Sequence, residues 1–161
     1  MKRIYCYLII LAVSMVPIIE LRGSIPIAAA LDIEPRIAFL EALPFAVIGN
    51  LLPVPFIIFF FKFFLTKFRS FPVLGKILTK VHNKAVEKAD KIKEYAFWGI
   101  FIFVAIPCPG TGAWTGSVIA SILEIDTKKA FLAIALGVIT SGLIMGFISY
   151  GLWDLIVSIV K

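Results

Sequence analysis

Charge is scarce in this chain: Asp, Glu, Lys and Arg make up 16% of its 161 residues and hydrophobic residues 61%, against roughly 25% and 45–50% in soluble domains. That balance excludes water as the main solvent. Histidine occurs once, at His82, and cysteine twice, at Cys6 and Cys108. Three such residues scattered over the chain exclude a metal site of ordinary ligand count. With the one imidazole in a basic loop, they also exclude a Ser/His/Asp or Cys/His set among the apolar segments. Catalysis would have to rest on carboxylates alone, so an enzyme is not expected, and neither is a cofactor or a metal.

Long uncharged stretches are present instead. Residues 4–19, 42–61, 95–123 and 130–153 carry no charge, and about 20 apolar residues span a bilayer core. The net charge of +6 is concentrated: nine of the 16 basic residues lie between Lys62 and Lys93, wedged between hydrophobic blocks. A juxtamembrane basic segment reads as a cytoplasmic loop held inside by its lysines and drawn to anionic headgroups. No nucleic-acid motif accompanies the charge, so nucleic acid is not an expected partner. Lys2-Arg3 before an apolar run, with Ala28-Ala29-Ala30 beyond, imitates a signal peptide. Pro17, Glu20, Arg22 and Pro26 make the connection to that cleavage point unusually long and charged, and the segment is read as retained.

An internal repeat organises the chain. L-D-I-E-P-R-I-A-F-L at residues 31–40 returns as L-E-I-D-T-K-K-A-F-L at 123–132, an offset of 92 that also superposes Pro17 on Pro109, Ile27 on Ile119 and Gly49-Asn50 on Ser141-Gly142. Apolar matches are common in membrane sequences, whereas an acid-apolar-acid turn followed by a base is not. Each half then reads as an apolar segment broken by turn formers, a short apolar helix, a charged turn and a long membrane helix. The breaks are E-L-R-G-S-I-P at 20–26 and P-C-P-G-T-G-A-W-T-G at 107–116. Proline removes a backbone donor and glycine permits tight turns, so neither segment is expected to run through as one helix. Gly23 or Ser24 is the expected cap of the first short helix, and Thr111 or Thr115 of the second.

Each broken segment either forms one kinked crossing or re-enters and returns to its own side. The re-entrant form is favoured, because irregular backbone at membrane depth must be buried in protein or line an aqueous cavity, and two breaks can satisfy each other. One re-entrant hairpin plus one crossing per half would invert the halves about the membrane plane; the distribution of basic residues fits both forms. The expected fold is therefore all-α and integral to the membrane, with repeats at 4–66 and 95–161. A connector at 67–94, amphipathic through Val73, Ile77, Val81, Ala85 and Ile92, is expected on the cytoplasmic face. Residues 130–160 form one long helix or a helix with a bent end. Trp98 and Trp153 are expected at membrane interfaces.

Glu20 and Arg22 are the candidate functional pair, since an ionisable residue at the centre of a membrane helix costs roughly 2.5–3.5 kcal/mol on insertion scales. Helix N-termini at the breaks favour anionic groups, and with Arg22 they would suit a phosphate or carboxylate. Glu20 is either the counter-charge of Arg22 or a carrier of a proton or cation. The two breaks resemble the signature segments of the small multidrug export protein family, and the likeness covers nearly the whole chain. The paired re-entrant layout also resembles, more loosely, DedA-type membrane proteins, although their E-x-x-x-P-x-P pattern is not reproduced. These resemblances imply a motif set of Glu20, Arg22, Gly23, Pro26, Pro109, Gly110, Gly112 and Trp114, in a multi-pass protein of a prokaryotic inner membrane that exports a small solute. A translocase of an anionic lipid carrier such as a polyprenyl phosphate and a nontransporting scaffold are the alternatives. Membrane lipids and a second copy of the chain are the expected partners.

Overall fold

The computed structural model describes residues 2–30, 38–68 and 89–160. All regular structure among them is helical: α1 (Lys2–Met15), α2 (Glu20–Ala30), α3 (Phe39–Leu51), α4 (Val54–Phe68), α5 (Ala89–Ala105), α6 (Ala113–Ile122) and α7 (Thr127–Val160). The first charged turn, with Asp32 and Glu34, and most of the amphipathic connector, with His82, lie outside the described residues, as does the side chain of Trp153.

Among the described residues two apolar helical stretches are long enough to cross a membrane, Phe39–Leu65 and Thr127–Gly151. In the first, α3 gives way to α4 at Leu52 and Pro53, where Pro53 and Pro55 contribute no N–H, while Leu52 still bonds Ile48 O and Ile57 bonds Pro53 O, both at 3.0 Å. Pro44 is absorbed inside α3. The second stretch belongs to α7, one unbroken helix of 34 residues; Gly137, Gly142 and Gly146 do not interrupt it, because each admits a neighbouring side chain from α5, α3 or α2.

The helices pack in matching pairs. The α1 helix lies against α3 and α5 against α7, while α2 lies against α7 and α6 against α4. Leu21, Ser24, Ile25, Ala28 and Ala29 are buried in α2, and Ala113, Gly116, Ser117, Ala120 and Ser121 in α6. A shift of 92 carries each of the first five onto the second. Outward-facing positions are apolar instead: Phe56, Phe59, Phe60, Phe63 and Phe64 form an exposed stripe on α4, and Leu132, Leu136, Leu143 and Phe147 are exposed on α7. Large hydrophobics thus line the outer surface as well as the core, where Ile10, Leu21, Ile25, Ile58 and Ile134 are fully buried.

Contacts between helix ends fix which termini lie together. Arg3 pairs with Glu41 at 3.3 Å and Tyr7 donates to the same carboxylate oxygen at 2.8 Å, so α1 and α3 begin at one end of the molecule. At the other end Lys62 Nζ donates to Ile125 O at 2.6 Å and to Thr127 Oγ1 at 2.9 Å, joining α4 to the second charged turn. That turn closes α6 with the N–H of Ile125 on Ala120 O and of Glu124 on Ser121 O, Glu124 taking the left-handed conformation at φ 53°.

Asp126 then caps α7, its carboxylate accepting the N–H groups of Lys128 at 3.0 Å and Lys129 at 3.2 Å. Those bonds, the Lys129 one foremost, hold its carboxyl below the usual aspartate range. A depressed carboxylate stabilises the fold above its unfolded pKa, about 3.9, and the contribution fades as pH falls through the lower folded value. The stability difference between wild type and Asp126→Ala in detergent is thus expected to be full at neutral pH and to shrink below about pH 4. A difference that stays constant into acid would remove the cap from the account.

Candidate functional site

The two breaks are built differently from one another. In the second, Cys108, Pro109, Gly110 and Thr111 form a type II turn, with Pro109 leading, Gly110 at φ 85° and Thr111 N–H on Cys108 O at 3.2 Å. Thr111 does not cap α6. Its hydroxyl donates back to Ile106 O at 2.8 Å and Cys108 O at 2.9 Å, and Gly112, which has no side chain to offer, is the N-cap.

The first break falls earlier than the glycine and proline positions indicate. The chain turns at residues 16–19, with Ile18 at φ 78° and Glu20 at φ 49°, and helix resumes at Glu20, so that Arg22, Gly23 and Pro26 are helical. A β-branched residue at positive φ is strained, and the surrounding bonds hold it there: Glu20 N–H on Val16 O at 3.0 Å and Gly23 N–H on Ile19 O at 2.9 Å. Gly23 is needed for space, since a Cβ there would overlap the Ile19 side chain.

Glycine in the second half separates space from conformation. Gly110 has nothing within 4 Å of an added Cβ, yet its φ of 85° penalises any side chain, whereas Gly99 in mid-α5 is open and carries no such penalty. Gly110→Ala is expected to lower stability by about 1–2 kcal/mol, and Gly99→Ala to raise it by about 0.5–1 kcal/mol. Thermal unfolding in detergent reads both.

The breaks meet through Glu20, Arg22 and Trp114. Glu20 is 4% exposed, and its carboxylate accepts the Trp114 N–H at 3.1 Å, so the first half caps α6, a helix of the second. The same carboxylate lies 3.7 Å from Arg22 Nη1 and packs on Gly112, where a Cβ would overlap it. Arg22 Nη2 donates to Val104 O at 3.2 Å and Ile106 O at 3.1 Å, at the C-terminal end of α5. Trp114 Nε1 donates to Met15 O at 3.3 Å, at the C-terminal end of α1.

The offset of 92 orders this arrangement. It carries Glu20 onto Gly112, which touch each other, and Arg22 onto Trp114, which each cap the first helix of the opposite half. Beneath them Ser14 and Ser24 share a buried hydroxyl contact of 2.5 Å. The Nε of Arg22 is buried without a hydrogen-bond partner.

Of the eight residues read from the sequence, Glu20, Arg22, Gly112 and Trp114 are thus in mutual contact or bonded to one another. Pro109 and Gly110 shape the adjoining turn, and Gly23 and Pro26 lie on α2. Sequence reasoning missed Met15, Val104 and Ile106, whose contribution is a carbonyl that no side chain advertises, and the Ser14–Ser24 contact. Among the described residues no group of three His, Cys, Asp or Glu is placed to hold a metal.

Among the described residues the architecture is all-helical, with two apolar helices long enough to cross a membrane and an ionisable pair between the two broken segments. The chain belongs to the family described as Putative small multi-drug export protein, whose profile matches residues 20–144, from Glu20 through both breaks into α7. No curated protein and no solved structure matches it.

Proposed function

We propose that the chain is a multi-pass exporter of a small solute in a prokaryotic inner membrane, with its site where the two breaks meet. The observation that carries this reading is the pair of buried Glu20 and half-buried Arg22, which bonds helix ends of the opposite half. In alternating access one half rocks against the other about a fixed site. For that to happen here, the bonds from Glu20 to Trp114 N, from Arg22 to the α5 carbonyls and from Trp114 to Met15 must be exchanged for others. A proton or cation on Glu20 releases the α6 cap, and an anionic group can take Arg22 from the carbonyls. Glu20 is in this reading the coupling group, and Gly112 keeps it within reach.

The halves are inverted and each broken segment is re-entrant. Support comes from the Arg3–Glu41 pair, which returns α1 and α3 to one end, from the Lys62–Thr127 contact at the other, and from the reciprocal capping by Arg22 and Trp114. The end bearing Lys62 and Lys128 is then cytoplasmic. A second copy of the chain completes the enclosure of the path, for which crosslinking in native membranes to a dimer is the check.

The experiment compares ethidium retention in everted membrane vesicles containing wild type, Glu20→Gln or Arg22→Gln at matched amounts of folded protein. Uptake by wild type that is lost in both variants is expected. A second reading, translocation of an anionic lipid carrier, is favoured by the Arg22 guanidinium; a fluorescent polyprenyl phosphate moved across proteoliposomes by wild type alone would replace drug export with it. Indifference of both assays to both substitutions would leave a scaffold and overturn transport.

A further inference from the structure

A second site lies away from the breaks. Between α4 and the start of α7 a groove of about 510 Å³ is walled by Pro55, Ile58, Phe131 and Leu132 and rimmed by Thr127 and Lys128, within the roughly 300–1,000 Å³ of clefts that hold ligands. Its walls are apolar and it opens on the outer surface beside the exposed phenylalanines of α4. Two cations stand at its Thr127 end: Lys128 is one of the lining residues, and Lys62, which does not line it, is anchored on Ile125 O and on Oγ1 of Thr127, which does. Asp126, the acid at this rim, is turned onto the N–H groups of Lys128 and Lys129.

We propose that this groove is a binding site for one anionic phospholipid, with an acyl chain along Ile58, Phe131 and Leu132 and the phosphate at Lys128. An acyl chain meets the requirement of the walls, and a lipid phosphate that of the rim. The connector that leaves α4 is a poor occupant by charge: residues 69–88 contain five basic residues, Arg69, Lys76, Lys80, Lys84 and Lys88, and one acidic residue, Glu87. Like charges would meet at Lys62 and Lys128, whereas an anionic headgroup complements both the rim and the connector. The site stands on the groove and its lysines and does not depend on the transport reading.

Native mass spectrometry of the purified full chain, titrated with phosphatidylglycerol or phosphatidylcholine, tests it. Wild type is expected to retain one phosphatidylglycerol in preference to phosphatidylcholine, with affinity falling about fivefold in Lys128→Gln, the loss of one lysine near an anionic headgroup. Leu132→Trp, which fills the groove, is expected to remove the retained lipid while the circular dichroism of the chain is unchanged. Lys129→Gln, next to the groove but not lining it, is expected to change affinity less than twofold. Equal retention of the two lipids, an equal loss in Lys128→Gln and Lys129→Gln, or a disulfide between cysteines placed at Leu132 and in the connector would each overturn the assignment.

Discussion

Gly49→Ala is expected to destabilise the chain by about 3 kcal/mol or more, at or beyond the upper end of ordinary overpacking. A Cβ at Gly49 would overlap the carbonyl oxygen of Leu11 and lie 3.0 Å from Leu11 C and Cα, so what it meets is the backbone of α1. A flexible side chain could swing away; a helix must move as a body. Moving α1 would pull Met15 O from Trp114 and Arg3 from Glu41, so the cost spreads to both ends of the helix. Thermal unfolding in detergent beside the Gly99→Ala control measures it, and a change below about 1 kcal/mol would mean that the close approach of α1 and α3 is not maintained.

The second large effect concerns Gly112. Gly112→Ala would drive a methyl group into the Glu20 carboxylate, detaching it from Trp114 N–H and separating it from Arg22. Leaving one member of a buried ion pair uncompensated costs about 3–5 kcal/mol, and a loss of that order is expected. Glu20→Ala alone is expected to cost about as much, because Arg22 then keeps its burial without its counter-charge. With Glu20→Ala in place, Gly112→Ala should add little, because the carboxylate it displaced is gone. The two substitutions are therefore expected to be non-additive by nearly the whole cost of Gly112→Ala, about 3–5 kcal/mol. Simple additivity would show that Gly112 is a turn residue with no part in the pair.

How much of this was legible in the sequence depended on whether a feature was local. The charged turn at 123–132 and its echo at 31–40 pointed to an offset of 92, because acids and bases are costly in an apolar chain, and at that shift buried positions of α2 fall on buried positions of α6. The sequence also marked Glu20 and Arg22 by that cost. The position of the first break was not legible: turn formers pointed to residues 20–26, whereas the chain turns at 16–19, where exposed Ile18 takes a positive φ that a β-branched residue does not favour, inside a turn closed by the Glu20 N–H on Val16 O. Nor could the cap of α6 be read. Thr111 and Thr115 are the residues that local chemistry nominates, yet the acceptor is a carboxylate 94 positions away. Gly142 and Gly146 carried a packing signal, and they meet Leu43 and Phe39 without interrupting α7.

The central claim is that each broken segment returns to its own side, so that the breaks face each other from inverted halves. Its most direct test is the sidedness of the N-terminus in intact cells, read with an epitope tag before Met1, beside Lys76→Cys and Thr127→Cys labelled in a background lacking Cys6 and Cys108. The expected result is a tag accessible from outside, with Lys76→Cys and Thr127→Cys labelled only from the cytoplasmic side. A tag confined to the cytoplasm, with the two cysteines unchanged, would mean that the first segment crosses, and would contradict the meeting of the two breaks at a central site.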